Sequence, residues 1–189
     1  MEGTLKEALE CCPVVAAVKD TEGLEKSLGS ECTIIFVLFG DVCSIPAIVD
    51  KIKESGKLAL VHIDLIVGLS GKEAAVDYIR QFTRADGIIT TKPALVKRAR
   101  ELGLCSILRF FVIDSMALEN IERQVRQARP DVVEMLPGII APKIISRICR
   151  SLRVPVIAGG LISEKEDIMA ALEAGAVSIS TTNEKVWFM

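Results

Sequence analysis

The chain has 189 residues, of which 50% are hydrophobic, and its formal net charge is −2. A chain of this length buries roughly 70% of its unfolded surface, so we expect a single domain over residues 1–189. The longest apolar run, Ile34–Phe39, is far shorter than the ~20 residues that cross a bilayer. The first residues are acidic, whereas a signal peptide begins with basic and then apolar residues. We therefore expect a cytoplasmic protein with no membrane partner.

Eight short runs rich in Val, Ile and Leu predict eight β-strands. In chain order they are Pro13–Val18, Thr33–Phe39, Lys57–Ile63, Gly87–Thr90, Cys105–Phe111, Asp131–Leu136, Val154–Ala158 and Ala176–Ser180. Each run is nearly continuous rather than alternating, which is typical of parallel strands that are covered on both faces. Helical patterns of about 10–14 residues separate them, as in successive βα units. The order predicts an α/β fold, a small TIM-like (β/α)8 barrel.

The helix boundaries are consistent with this order. Ser163 and Glu166 have the spacing of a capping box before the last long helical pattern. Glycines stand where three helices are expected to end, at Gly56, Gly103 and Gly175. Only Thr181–Met189 follow the last predicted strand, so we expect the eighth helix to be rudimentary or missing. An open doubly wound sheet is the alternative, but no glycine fingerprint follows the first strand.

Active sites of such barrels lie at the carboxyl ends of the strands. Polar side chains at those ends are the candidate ligand contacts: Lys19, His62, Asp64, Arg109 and Glu134. His62 and Asp64 either form an acid–base couple or line a pocket, and we favour the second interpretation. The sequence contains no nucleophile elbow, P-loop or metal-ligand spacing. We therefore predict no catalytic residue, no metal and no cofactor.

A phosphate site is predicted at the last two strand ends. Gly159 and Gly160 allow backbone N–H groups to approach an anion closely. Thr181 and Thr182 add hydroxyls and precede a short helix, whose amino terminus attracts negative charge. Phosphate sites of this fold often form between these two loops. The alternative is that the glycines only turn the chain.

The positive charge is concentrated in one part of the chain, where 12 basic and 6 acidic residues lie between Lys92 and Arg153. The predicted helix after the sixth strand buries Ile145 and Ile148 and carries its basic residues roughly opposite. With those of the preceding helix, the basic residues are candidate RNA contacts: Lys143, Arg147, Arg150, Arg123 and Arg126. The alternative is an ordinary solvated face. Aromatic residues, 4% of the chain, are too few to indicate base stacking.

Six segments are informative when they are taken together. They are Val61–Ile66 with Gly68 and Leu69, Gly87–Lys92, Arg109–Ser115, Val133–Gly138, Ala158–Ile162, and Ser180–Asn183 with Trp187. In this order they resemble the glycerol-uptake operon antiterminator regulatory proteins. The resemblance extends from about Pro13 to Trp187, which is nearly the whole chain.

The resemblance implies a bacterial transcription antiterminator that responds to glycerol 3-phosphate and acts on the leader mRNA of glycerol-uptake genes. It implies that the Gly159–Gly160 and Thr181–Thr182 loops hold the phosphate. From strand-end geometry we expect some of the five candidate ligand contacts to meet the glycerol hydroxyls. One alternative is a phosphosugar isomerase or epimerase that uses His62, Asp64 or Glu134 for proton transfer. Another is a paralogue that binds the ligand but no RNA. The sequence leaves open whether the chain forms a homo-oligomer.

Overall fold

Eight parallel strands close into a barrel in the computed structural model, which describes residues 2–189. The strands are β1 Val14–Val18, β2 Ile34–Val37, β3 Leu58–His62, β4 Gly87–Thr90, β5 Cys105–Phe111, β6 Val132–Leu136, β7 Val156–Gly159 and β8 Ser178–Thr181. Each strand pairs with its neighbour in sequence, and β8 pairs with β1 through the partners Val14 and Ile179. The predicted (β/α)8 barrel and the location of all eight strands are confirmed.

The helices surround the barrel. They are α1 Glu2–Cys11, α2 Thr21–Leu28, α3 Ile45–Glu54, α4 Glu73–Phe82, α5 Pro93–Glu101, α6 Ser115–Ala128, α7 Pro142–Ser151 and α8 Lys165–Glu173. Helices α2–α8 connect consecutive strands, whereas α1 precedes β1 and was not predicted from the sequence. After β8 comes only a short 3₁₀ helix, Glu184–Phe188, so the expected rudimentary eighth helix is confirmed.

Side-chain alternation along the strands separates an inner core from an outer one. Val15, Phe36, Leu60 and Ile107 fill the barrel interior, and Leu5 of α1 packs on the same cluster. The intervening residues pack outward against the helices. Helix α1 lies against the amino ends of the strands and does not cover the opposite, carboxyl end of the barrel. We call that end the mouth.

The glycines predicted to end helices are confirmed in this role, since Gly56, Gly103 and Gly175 have φ of 78°, 69° and 106°. The predicted capping box is wrong by one residue. Helix α8 begins at Lys165, so Glu164 is its N-cap and Asp167 its third residue. The Asp167 carboxylate accepts hydrogen bonds from the backbone N–H of Ser163 at 3.0 Å and of Glu164 at 3.1 Å. Among the described residues, no helix is long and apolar enough to span a membrane.

Candidate ligand site at the mouth of the barrel

A buried hydrogen-bonded network joins three strands at the mouth. Arg109 and Glu134 are directly paired across β5 and β6, and Arg109 Nε donates to Glu134 Oε2 at 2.6 Å. Ser180 of β8 donates its hydroxyl to the other carboxylate oxygen, Oε1, at 2.6 Å. Relative exposure is 9% for the Arg109 side chain and 1% for that of Glu134. Both carboxylate oxygens are therefore engaged, and Glu134 fixes the orientation of Arg109.

The guanidinium of Arg109 keeps two donor groups for a ligand. Its Nη groups have no hydrogen bond to any described residue. Among the described residues, a single buried side-chain nitrogen or oxygen lacks a hydrogen-bond partner, and it belongs to His62. The Nη groups of Arg109 also lack a partner but are therefore not buried, so solvent reaches them. A planar fork of N–H donors suits a phosphate or a pair of hydroxyls. Arg109 is thus a pre-oriented cation at the mouth.

Gly159 lies between the arms of this network. A Cβ placed on Gly159 would lie 2.7 Å from Glu134 Oε1 and still closer to Ser180 Oγ. Real Cβ atoms do not approach other atoms so closely, so the buried network requires glycine at this position. The first glycine of the predicted phosphate loop is therefore explained by the packing of side chains inside the barrel.

His62 is the buried side chain with an unsatisfied atom. It follows Leu60 on the inner face of β3, and its Nδ1 has no hydrogen-bond partner among the described residues. Burial, together with the positive charge of Arg109, lowers the pKa of His62 to about 4. The imidazole is therefore neutral near pH 7, where it can donate or accept one hydrogen bond. A buried polar atom without a partner is rare and points to a ligand group.

Asp64 has a structural role at the edge of the mouth. Its Oδ2 accepts hydrogen bonds from the Thr90 hydroxyl at 2.9 Å and the Thr91 backbone N–H at 2.8 Å, and Lys92 Nζ binds Oδ1 at 2.9 Å. Burial acts to raise the pKa of Asp64, but these hydrogen bonds outweigh it and hold the pKa below its usual value. Asp64 thus fastens the β4–α5 loop to the end of β3, and it is not paired with His62 as an acid–base couple.

The loops after β7 and β8 are tied to each other. Thr181 donates its hydroxyl to the carbonyl of Ile162 at 2.7 Å, and the Gly160 N–H donates to the Ser180 carbonyl at 3.3 Å. Gly160 and Leu161 both have left-handed backbones, with φ of 79° and 63°. Such a conformation is costly for leucine, whose side chain here is 71% exposed. Sequence reasoning missed Leu161, because nothing in its side chain indicates a left-handed backbone.

This turn leaves donors free. The backbone N–H groups of Leu161, Ile162 and Thr182 have no hydrogen-bond partner among the described residues. Thr182 is also exposed, as is Lys19 at the end of β1 on the other side of β8. The short helix that follows contributes less than expected, because Asn183 Oδ1 already accepts from the Lys185 N–H at 3.1 Å. Free backbone donors and two exposed polar side chains therefore line this part of the mouth.

The basic residues predicted to contact RNA lie away from the mouth, on the outside of the barrel. All five are exposed on two neighbouring helices: Arg123 and Arg126 on α6, and Lys143, Arg147 and Arg150 on α7. The predicted buried stripe of α7 is confirmed by Ile145 and Ile148. Arg126 and Arg147 line one groove between the two helices.

Comparison with known proteins identifies the family. Residues 14–187 match the model of the glycerol-3-phosphate responsive antiterminators. The chain belongs to the glycerol-3-phosphate responsive antiterminator family. It is 46% identical over 175 residues to the uncharacterized protein YgcP of Escherichia coli (strain K12), covering 93% of this chain and 91% of that protein.

Two solved structures resemble this antiterminator-family protein closely. The glycerol uptake operon antiterminator regulatory protein of Listeria monocytogenes has a TM-score of 0.88 and 32% identity, with 92% of this chain and 94% of that chain covered. A glycerol uptake operon antiterminator-related protein of Thermotoga maritima has a TM-score of 0.83 and 32% identity, with coverages of 94% and 99%. The deoxyribose phosphate aldolase of Aeropyrum pernix, 16% identical with a TM-score of 0.69, shares the fold alone. The chain is thus a member of a regulatory family, consistent with the prediction that it is not an enzyme.

Proposed function

We propose that the mouth of the barrel binds glycerol 3-phosphate and that this binding controls the association of the protein with leader mRNA of glycerol-uptake genes. The observation that carries the proposal is the Arg109–Glu134–Ser180 network. It holds a cation with two free Nη groups next to the β7 and β8 loops, since Ser180 belongs to both the network and the last strand. The family membership supports the identity of the effector.

In this proposal the phosphate is bound by the loops after β7 and β8. Free N–H groups at Leu161, Ile162 and Thr182 supply the donors. Thr182 adds its hydroxyl. Of the four residues predicted from the sequence, Gly160 and Thr182 contact the phosphate, while Gly159 and Thr181 support the loops through the contacts described above.

The glycerol hydroxyls are bound by the earlier strands. Arg109 offers its Nη donors, and neutral His62 offers its Nδ1, which donates or accepts one hydrogen bond according to the tautomer. Lys19 lies beside β8 at the end of β1, where its ammonium group faces either the phosphate or a hydroxyl. Glu134 orients Arg109 and does not contact the ligand.

The network also argues against the isomerase or epimerase alternative. Such an enzyme needs a base with a free lone pair and a pKa near the working pH. Both oxygens of Glu134 are engaged, Asp64 is held by the β4–α5 loop, and His62 has a pKa of about 4. Glu134 and Asp64 thus serve as hydrogen-bond acceptors within the barrel, and neutral His62 is a weak base, which argues against proton transfer at this site.

The control of RNA binding is tested by measuring the affinity for the leader transcript with and without glycerol 3-phosphate. Coupling between two sites typically changes affinity about 5–150-fold, and we expect a change in this range. Gly160→Asp should abolish the response, because its carboxylate repels the phosphate. Gly56→Asp is the matched control, since Gly56 has φ of 78° against 79° for Gly160 and has no atom within 4 Å of an added Cβ.

Equal RNA affinity with and without the effector would contradict the control mechanism. Binding of glycerol 3-phosphate without any RNA binding would favour the paralogue alternative. Turnover of a phosphorylated three- to five-carbon sugar would favour the enzyme alternative.

A further inference from the structure

Connected grooves cross the amino-terminal face of the barrel, opposite to the mouth, and continue along the outside of α6 and α7. One lies beside α1 and shares Arg100 with a groove on α5. The groove beside α1 also shares Arg129 with a third groove, which lies between α6 and α7. That third groove shares Arg126 with a fourth, which runs along the same two helices. Seven cations of the described residues line these grooves, and one of them, Lys6, faces Glu10 at 4.0 Å. We call the other six the basic track: Lys97, Arg100, Arg129, Arg153, Arg126 and Arg147.

Most charges of the basic track are not neutralised within the chain. Lys97, Arg100, Arg129, Arg153 and Arg147 are exposed, and none has an ion pair with a described residue. Arg126 has a single, long contact of 3.4 Å to Glu122. By contrast, Arg98 of α5, on the neighbouring face, is bound by Asp77 and Glu101 and does not belong to the track.

Two of the four described carboxylates that line the grooves, Asp131 and Glu101, are held by groups outside the track. Asp131 accepts hydrogen bonds from the Ser106 backbone N–H at 2.7 Å and from the Ser106 hydroxyl at 2.8 Å. Glu101 is bound by Arg98 at 2.8 Å.

Glu119 and Glu122 line the groove along α6 and α7, and Glu122 contacts Arg126. The positive field is therefore strongest around Arg100, Arg129 and Arg153.

Arg129 is the central residue of the track and has a strained backbone. It ends α6 with φ of 54° and ψ of 58°, the left-handed conformation that glycine adopts at little cost. Three other helices of this barrel end with glycine in that conformation, at Gly56, Gly103 and Gly175. Retaining arginine here sacrifices stability, and strained residues of this kind concentrate at functional sites. Its side chain lines three of the four grooves.

We propose that the basic track binds the phosphodiester backbone of single-stranded RNA. The inference rests on the proposed function and adds the location of the RNA. A single small anion contacts only two or three side chains, whereas these cations extend over four connected grooves. The grooves turn from the amino-terminal face onto the outside of α6 and α7, and a flexible single strand follows such a bend more easily than a stiff duplex. No aromatic residue lines these grooves, which favours contacts to the backbone over base stacking.

The central residue of the track, Arg129, and the ligand site lie at opposite ends of one helix. Helix α6 has 14 residues, which corresponds to a length of about 21 Å. It begins after Asp114, in the loop that follows Arg109 and β5, and ends at Arg129. Ligand at the mouth and RNA on the track therefore do not compete for space, and both contact elements joined by α6.

The test measures fluorescence anisotropy of a labelled oligouridylate at salt concentrations between about 50 and 200 mM. Six phosphate contacts predict a slope of log affinity against log salt of about −4 for the unaltered protein. Combining Arg100→Gln, Arg129→Gly and Arg153→Gln should reduce affinity at least about tenfold and bring the slope to about −2. Lys51→Gln, which removes one positive charge on α3, should change neither.

Arg129→Gly alone separates RNA binding from folding. Glycine relieves the left-handed strain, so this variant should have a higher Tm than the unaltered protein and yet a lower RNA affinity. Unchanged affinity and slope in the triple variant would overturn the location while leaving RNA control intact. If RNA affinity falls only in Lys143→Gln and Arg150→Gln, the proposed location is wrong and the RNA binds the outer face of α7. Absence of RNA binding by the unaltered protein would overturn both this inference and the RNA part of the proposed function.

Discussion

Removing one charge from the Arg109–Glu134 pair tests the structural account of the ligand site. Glu134→Gln retains the shape of the side chain but leaves the Arg109 guanidinium, only 9% exposed, without its counter-charge. Breaking a buried pair in this way typically costs about 3–5 kcal/mol. Because the Arg109 Nη groups reach solvent, we expect the lower end, about 3 kcal/mol. For a chain of this size that corresponds to a fall in Tm of about 6–12 °C.

The assay is thermal unfolding followed by circular dichroism, with Glu173→Gln as control. Glu173 is exposed on α8 and has no ion pair with a described residue, so its change should stay within about 0.5 kcal/mol. Adding Arg109→Met to Glu134→Gln removes the unpaired charge and should recover much of the stability without restoring ligand binding. The reasoning is refuted if Glu134→Gln melts with the unaltered protein, or if the double variant is no more stable than the single one.

Three further predictions concern the same mouth. The folded pKa of His62, about 4, lies below its ordinary 6.5, so the unfolded chain takes up a proton first as the pH falls. Stability should therefore drop between pH 6.5 and 4 by up to roughly 3 kcal/mol, and His62→Gln should flatten this part of the curve in denaturant titrations. Gly159→Ala should lower stability by about 1–3 kcal/mol and weaken effector binding, since the new Cβ displaces Ser180 from Glu134; an unchanged Tm and Kd would refute the packing argument. Asp64→Asn should accelerate amide hydrogen exchange in the β4–α5 loop by at least about tenfold, because that loop loses charge-assisted hydrogen bonds. Equal exchange rates in the variant and the unaltered protein would contradict the role given to Asp64.

The fold was predictable because each strand is marked in the sequence by its own apolar run. Buried parallel strands require nearly continuous apolar runs, and predicted boundaries such as Asp131–Leu136 differ from the observed Val132–Leu136 by a single residue. Helix α1 was missed because, of its described side chains, only Leu5 and Leu9 are fully buried, and a pair of leucines at this spacing is a weak helical signal.

The sequence predicted which residues lie at the candidate site, but it did not predict what each of them contacts there. Alternation along the strands points Arg109, Glu134 and His62 inward, and all three were predicted as ligand contacts. It could not show that Glu134 is engaged on both oxygens, because Ser180 is 46 positions away in sequence and meets it only when the barrel closes. The left-handed backbone of Leu161 could not be predicted for a different reason, because the loop and not the side chain imposes it.

The charge asymmetry was also predictable, whereas its location was only partly so. The excess of basic residues indicated the exposed faces of α6 and α7. The sequence did not reveal that Arg153 and Arg100 meet Arg129 across the amino-terminal face. That meeting depends on where neighbouring helices and strands end, and such boundaries are least certain in sequence analysis.

The central claim is that the mouth of this barrel recognises glycerol 3-phosphate through a positioned cation and two loops. Isothermal titration calorimetry with glycerol 3-phosphate and with glycerol tests it most directly, in the unaltered protein and in the Gly160→Asp and Gly56→Asp variants. The account predicts saturable binding of the phosphorylated ligand alone, lost in Gly160→Asp and retained in Gly56→Asp. Absence of binding, or equal binding of glycerol, would contradict it.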